Sequence, residues 1–167
     1  MDEARDDPGV IAPPPLIALA ALVLGLALDW FLPSFILQGI FGFWTRLIAG
    51  ACLMATGAAL AVVAIRSFSR AGTNVEPWQP ALTLVTGGIF DWMRNPMYVG
   101  LVLTVAGIAI ALGSGWTLVL LVAAALILHF GVVKREERYL AGKFGESYRA
   151  YMRRVPRYGV RFSRQKA

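Results

Sequence analysis

Two short groups of polar residues stand beside apolar stretches and could carry chemistry. In the first group, Pro96 suits the first turn of a helix and Asn95 suits the capping position before it. The free backbone N–H groups at such a helix start favour a carboxylate. The second group is the pair Glu136 and Glu137, which follows an apolar stretch closely. These two glutamates either form part of a site or pair with nearby Lys and Arg on a solvated helix turn, at about 0.2–0.5 kcal/mol per pair.

Four apolar stretches must position these residues, and they are residues 16–32, 47–65, 97–112 and 116–133. A bilayer core about 30 Å thick needs roughly 20 helical residues, so the shorter stretches are expected to borrow flanking residues. Gly113-Ser114-Gly115 leaves room only for a tight antiparallel hairpin between the last two. Small residues repeat in the second stretch at Ala51, Ala55 and Ala59, and in the third from Gly100 to Ala111, which predicts close helix packing there.

The composition of the 167-residue chain favours a membrane protein over a soluble domain. Hydrophobic residues make up 57%, charged residues only 16%, and the mean hydropathy is +0.62. A soluble domain carries about 25% charged residues. We therefore predict an all-α integral membrane protein with about four transmembrane helices and a cytoplasmic C-terminal helical tail. Cys52 is the only cysteine and His129 the only histidine, so no metal site is expected.

The distribution of positive charge predicts the orientation in the membrane. The formal net charge is +6, and 11 of the 16 Lys and Arg residues lie from Lys134 onward. Basic residues that follow a membrane helix and alternate with aromatic ones indicate contact with anionic lipid headgroups, and no nucleic-acid-binding motif accompanies them. By the positive-inside rule both termini are cytoplasmic. The compact chain suggests a prokaryotic inner membrane, and the sequence does not predict an oligomeric state.

The order of several motifs resembles one family of membrane enzymes. Arg94-Asn95-Pro96-Met97-Tyr98-Val99-Gly100 is followed by Glu136-Glu137, then by Phe144-Gly145-Glu146-Ser147-Tyr148 and Arg154-Val155-Pro156. Together with the lead-in Leu84-Val85-Thr86-Gly87-Gly88-Ile89-Phe90, this pattern resembles the isoprenylcysteine carboxyl methyltransferase and phospholipid methyltransferase superfamily. The resemblance covers roughly residues 82–156, nearly half of the chain.

The resemblance implies a methyltransferase that uses S-adenosyl-L-methionine and a lipophilic methyl acceptor among membrane lipids. It implies a cofactor pocket on the cytoplasmic side, formed by Leu84, Val85, Phe90, Asn95, Pro96, Met97, Tyr98, Glu136 and Glu137. Glu136 would hold the polar end of the cofactor with Glu137 in support, because a carboxylate can accept a charge-assisted hydrogen bond from its ammonium. The chain then divides into a flexible lead-in (1–15), a first transmembrane pair (16–66) and a cofactor-binding part (67–167).

Two departures from the family pattern bear on the acceptor. Many members have His at the position of Asn95, and Asn cannot titrate near neutral pH. The eukaryotic carboxyl methyltransferases have Arg at the position of Val132, where it is implied to bind the substrate carboxylate. Arg135 and Arg157 are the candidate substrate-binding replacements here, with Lys134 as a further possibility. No catalytic base is identified by the sequence.

Three functions remain open at the level of sequence. The first is a methyltransferase that acts on a lipid-like or isoprenylcysteine-like carboxylate, thiol or amine. The second is a phospholipid N-methyltransferase that acts on phosphatidylethanolamine. The third is a non-catalytic membrane scaffold or small transporter, although a transporter usually has polar residues or broken helices within its spans.

Overall fold

The computed structural model describes residues 6–159, and within that range all regular secondary structure is helical, including a short 3-10 helix at Gly88–Asp91. The first half contains α1 (Pro14–Phe31), the short α2 (Ile36–Ile40) and the long α3 (Phe43–Arg70). The second half contains α4 (Pro96–Leu112), α5 (Gly115–Leu128), α6 (Lys134–Lys143) and α7 (Gly145–Arg154). Residues 1–5 of the acidic lead-in and 160–167 of the basic tail lie outside the described range.

The four predicted spans are confirmed as apolar helices. The helices Pro14–Phe31, Phe43–Arg70 and Gly115–Lys143 are long and apolar enough to cross a membrane, and α4 is an apolar helix of 17 residues. The helix Gly115–Lys143 is continuous because α5 runs through a π-helical segment, His129–Val133, into α6. Helix α3 is longer than its predicted span at both ends. The helix α2, which lies between the first two spans, was not predicted.

The bundle is built from two helix pairs, α3 with α4 and α1 with α5, and α4 also contacts α5. Small residues allow α3 and α4 to approach closely, as the stripe in the third span predicted. On α3, however, the buried residues are Gly50, Gly57 and Ala64, which recur every seven residues. The predicted stripe of Ala51, Ala55 and Ala59 faces outward, so that part of the packing prediction is wrong.

The hairpin between α4 and α5 is as tight as predicted. Gly113 ends α4 in the left-handed region at φ 75°, which suits glycine because it has no Cβ. Ser114 then caps α5, and its hydroxyl accepts a hydrogen bond from the Thr117 N–H at 3.1 Å. Asp29 at the end of α1 accepts hydrogen bonds from the hydroxyls of Ser34 and Ser114. These contacts join α1 to the hairpin at the end of the bundle opposite α6.

Candidate functional site

At the α6 end of the bundle, residues 71–95 form a loop that packs against α6 and α7. Phe90 is buried in this loop, and its ring meets the ring of Phe68 edge-on at 5.0 Å. The Tyr151 hydroxyl donates a hydrogen bond to the Phe90 carbonyl at 2.7 Å. Burial raises the pKa of Tyr151 above its usual value, so this phenol stays a donor at neutral pH. The loop is thereby fixed to α7.

Two adjacent chambers, which share several lining residues, lie between this loop and the helices. The polar chamber is narrow, with a volume of about 70 Å³, and it is lined by the loop, α6 and α7. The apolar chamber is wider, about 360 Å³, and extends along α4 towards α1 and α3. Arg94, Asn95 and Glu136 line both chambers. A ligand that contacts these three residues therefore meets a polar space on one side and an apolar space on the other.

All nine predicted cofactor residues line at least one chamber. Leu84, Val85 and Glu137 line the polar chamber, and Pro96, Met97 and Tyr98 line the apolar one. Phe90, Asn95 and Glu136 line both. Their role in binding a cofactor remains a prediction, but the fold brings them together from the loop, the start of α4 and α6.

The two glutamates have different environments. Glu136 is half-buried, and its Oε2 accepts a hydrogen bond from the Tyr98 hydroxyl at 2.7 Å. Glu137 is buried and lies between two arginines. Arg157 donates to both of its carboxylate oxygens at 2.6–3.1 Å, and Arg94 Nη1 lies 3.0 Å from its Oε1. Among residues 6–159, Glu136 therefore has acceptor capacity left at the chambers, whereas Glu137 is occupied by two arginines.

The π-helical segment His129–Val133 positions these glutamates. A π turn inserts one residue into an α-helix and so rotates everything that follows it by about 100°. Within the segment, Gly131, Val132 and Val133 are buried. Val132, where the resemblance implied an Arg in the eukaryotic carboxyl methyltransferases, is fully buried and lines neither chamber of the described residues.

The candidate substrate residues do not line the chambers that the described residues form. Arg157 is engaged by Glu137, and this bond raises the pKa of Arg157 above its usual value. Arg135 donates to the carbonyl oxygen of Gly9 at 2.8 Å. Asn95 precedes α4 as predicted, but its side chain does not cap the helix and instead donates to the Arg157 carbonyl at 3.2 Å. The prediction of a side-chain cap is therefore wrong.

Residues 6–13, which we call the strap, cross α6 beside the polar chamber. Asp6 accepts hydrogen bonds from Tyr139 at 2.8 Å and Lys143 at 2.5 Å. The N–H of Ile11 donates to the Gly131 carbonyl at 3.2 Å, and Pro8 contributes to the chamber wall. The sequence predicted a flexible lead-in here. The contacts of the strap could not be predicted, because their partners on α6 lie more than a hundred residues away in the sequence.

Sequence comparison connects these residues to known proteins. The sequence profile of the phospholipid methyltransferase family matches residues 45–147, well over half of the chain. This chain belongs to that family. The match includes α3, the loop, α4, α5 and α6, and so contains most of the residues that line the two chambers.

Curated relatives are similar over a shorter stretch. A protein-S-isoprenylcysteine O-methyltransferase of Schizosaccharomyces pombe is 38% identical over 74 residues, which are 44% of this chain and 31% of that protein. The Xenopus laevis protein of the same name is 35% identical over 74 residues, 44% and 26% respectively. The cobalt-zinc-cadmium resistance protein CzcN of Cupriavidus metallidurans is 33% identical over 81 residues, 48% and 37% respectively.

The matched stretches therefore span about a third of the length of these relatives. No solved structure matches the chain significantly.

Proposed function

We propose that this chain is a methyltransferase that uses S-adenosyl-L-methionine and acts on a lipophilic acceptor from the membrane. The observation that carries the proposal is the junction at Glu136, where a polar chamber on the side of α6 meets an apolar chamber between the membrane helices. Membership of the phospholipid methyltransferase family and the names of two of the relatives support the same activity.

The residues at the junction fit the chemistry of this cofactor. S-adenosyl-L-methionine would supply an activated methyl group on a sulfonium, together with an ammonium, a carboxylate and an adenine. Among the described residues, only Oε2 of Glu136 accepts a hydrogen bond, and its donor is Tyr98. The other carboxylate oxygen, Oε1, is therefore available for the ammonium. The apolar side chains of Leu84 and Val85 and the ring of Phe90 offer surfaces for the adenosyl group.

The apolar chamber suits the lipid-like part of the acceptor. Its walls include Ala61, Met97, Leu101 and Thr104, so a hydrocarbon chain that lies along α4 would meet mostly apolar surface. Alignment of donor and acceptor is the main protein contribution to a displacement at methyl carbon. Tyr98 lies at the boundary of this chamber, and its hydrogen bond to Glu136 couples the two halves of the site.

Binding of the cofactor tests the proposal. By calorimetry in detergent, the protein should bind S-adenosyl-L-methionine with a micromolar dissociation constant. Glu136→Gln should weaken binding by more than about tenfold, because a hydrogen bond between two charged groups contributes about 1.5–3 kcal/mol. The matched control is Glu146→Gln, which removes an exposed carboxylate that pairs with Arg153 outside both chambers. Failure of the folded wild-type protein to bind would overturn the proposal.

The acceptor requires a separate measurement with radiolabelled methyl donor. Vesicles that contain phosphatidylethanolamine and detergent-dissolved isoprenylcysteine analogues should be compared as acceptors. Labelling of the isoprenylcysteine carboxylate supports the first function, and labelling of the ethanolamine nitrogen supports the phospholipid N-methyltransferase. Cofactor binding without transfer to any lipophilic acceptor would contradict the proposed acceptor class.

A further inference from the structure

The polar chamber is too small for the part of the ligand proposed to bind there. Its volume is about 70 Å³. Sites that bind small molecules measure about 300–1,000 Å³. An adenosyl group therefore enters only when one of the chamber walls moves outward. The loop, α7 and the strap supply three of these walls, through residues that include Leu84, Tyr148 and Pro8. The contacts that hold each wall show which one can move.

The loop and α7 are held by buried contacts. Phe90 of the loop and Tyr148 and Tyr151 of α7 belong to one cluster of buried residues, together with Ala64 of α3. The hydrogen bond from the Tyr151 hydroxyl to the Phe90 carbonyl lies inside that cluster. Outward movement of either wall would bring these aromatic side chains into contact with water, at a large cost in apolar burial. The loop and α7 are therefore fixed walls.

The start of the strap is held only by exposed polar contacts among the described residues. Asp6 accepts hydrogen bonds from Lys143 and Tyr139. Arg135 donates to the carbonyl oxygen of Gly9. An ion pair that is open to solvent contributes little to stability, because water replaces its partners readily. This part of the strap can therefore leave α6 at a much smaller cost than the other two walls.

A hinge and an anchor follow this part of the strap. Gly9 has a φ of 60°, in the left-handed region, which suits glycine because it has no Cβ. Beyond it, the N–H of Ile11 donates to the Gly131 carbonyl at 3.2 Å, and the Ile11 side chain lies against Gly131. Helix α1 then begins at Pro14. Residues 6–8 can therefore swing at Gly9 while the rest of the strap stays on the bundle.

We propose that residues 6–8 form a gate over the polar chamber, and that the ion pair between Asp6 and Lys143 is its latch. The gate opens to admit or release the methyl donor, and Pro8 is the part of it that borders the chamber. This inference rests on the proposed function and concerns the route of the donor, not the residues that bind it. Neither Asp6 nor Lys143 lines a chamber of the described residues, so the latch controls the rate of exchange and not the affinity.

Rapid filtration with radiolabelled S-adenosyl-L-methionine measures both rate constants on the full chain in detergent. Asp6→Asn and Lys143→Gln should each raise the association and dissociation rate constants by about two- to fivefold, which corresponds to the loss of one exposed ion pair. The dissociation constant should stay within about twofold of the wild-type value. Glu146→Gln is the matched control, because it breaks an exposed ion pair with Arg153 outside both chambers, and neither rate constant should change.

The same two variants separate a gate from simple electrostatic attraction of the donor. The donor carries a net positive charge, so a carboxylate that only attracts it would speed association. In that case Asp6→Asn would slow association while Lys143→Gln would speed it. Opposite effects of this kind would overturn the gate, which requires both variants to act in the same direction.

A covalent latch gives the stronger test. In a Cys52→Ala background, Asp6→Cys and Lys143→Cys are joined by a short bifunctional maleimide. Cross-linking before the donor is added should slow its binding, and cross-linking afterwards should slow its release, each by at least about tenfold because exchange requires the gate to open. Each single-cysteine protein, capped with N-ethylmaleimide, is the control and should not be slowed.

Two failures of this experiment have different meanings. A cross-linked protein that exchanges the donor as fast as the same protein without the cross-link overturns the gate, since another wall must then open, while the proposed function stands. Absence of donor binding to the folded wild-type protein is the separate failure of the proposed function.

Discussion

Glu137 is the side chain that joins the separate parts of the site. Its carboxylate is buried and contacts Arg94 at the start of α4 and Arg157 beyond the end of α7. The two arginines share this one carboxylate, which is the counter-ion of both in the described part of the chain. The two glutamates of the acidic pair therefore differ, since Glu136 lines both chambers and Glu137 joins α6 to Arg94 and Arg157.

Removal of the Glu137 charge should destabilise the protein. Glu137→Gln leaves Arg94 buried without a counter-ion, and the loss of one partner of a buried pair costs about 3–5 kcal/mol. Unfolding in mixed detergent micelles, followed by circular dichroism, measures this change. Arg157→Gln is the comparison, because Arg157 is partly exposed and Arg94 can still neutralise Glu137. Equal stability of Glu137→Gln and wild type would show that the charge network does not support the fold.

For individual side chains, the sequence predicted which residues lie close together but not which hydrogen bonds they form. The motif resemblance selected nine residues that line the two chambers, because motif order reflects a shared spatial arrangement. It passed over Arg94 in the same motif, since the need for a buried arginine to find partners is visible only once its burial is known. The side chain of Asn95 was misassigned as a cap because its true acceptor, the Arg157 carbonyl, is 62 residues away.

Among the helices, the closest packing joins α3 to α4 through glycine. A Cβ added to Gly57 would lie 2.5 Å from the Gly100 carbonyl, and one added to Gly107 would lie 2.6 Å from the Gly50 carbonyl. The Thr104 hydroxyl donates back to the Gly100 carbonyl at 2.9 Å, which satisfies this side chain within its own helix. Since Gly100 and Thr104 also line the apolar chamber, this packing sets the width of the chamber.

A larger residue at this contact should separate the two helices. Gly57→Leu places a side chain against the backbone of α4, and overpacking of this kind costs about 2–3 kcal/mol. Ala58→Leu is the control on the same helix, because Ala58 faces outward. The free energy of unfolding in detergent micelles should fall only for Gly57→Leu. A similar loss for both variants would mean that the glycine contact has no special role.

Helix location was predictable from hydropathy, but helix orientation was not. All four apolar stretches are helical. Within a membrane a segment must form its own backbone hydrogen bonds, and a helix does so for any apolar stretch of sufficient length. The stripe of Ala51, Ala55 and Ala59 did not identify the face of α3 that packs against α4, because alanine is also common on lipid-facing surfaces. The π-helical segment His129–Val133 also gave no signal in the sequence, although it determines where Glu136 points.

Taken as a whole, the described part of the chain concentrates its polar contacts at the α6 end of the bundle. The family match ends at residue 147, but the site extends beyond it in both directions along the sequence. The strap contributes Pro8 from the N-terminal side, and α7 contributes Tyr148 and Tyr151 from the C-terminal side. We therefore expect that a fragment limited to the matched residues would lack two walls of the polar chamber.

The orientation of the whole bundle is a prediction from its charge distribution, and it can be tested at two glycines. Gly39 in α2 and Gly142 in α6 are exposed and have no atom near an added Cβ, so each accepts a cysteine without repacking. In a Cys52→Ala background, a membrane-impermeant maleimide should label Gly39→Cys in intact cells. It should label Gly142→Cys only after permeabilisation, because the basic end of the bundle is predicted to face the cytoplasm. The opposite pattern would contradict the predicted topology, and it would move the polar chamber away from the compartment where the methyl donor is made.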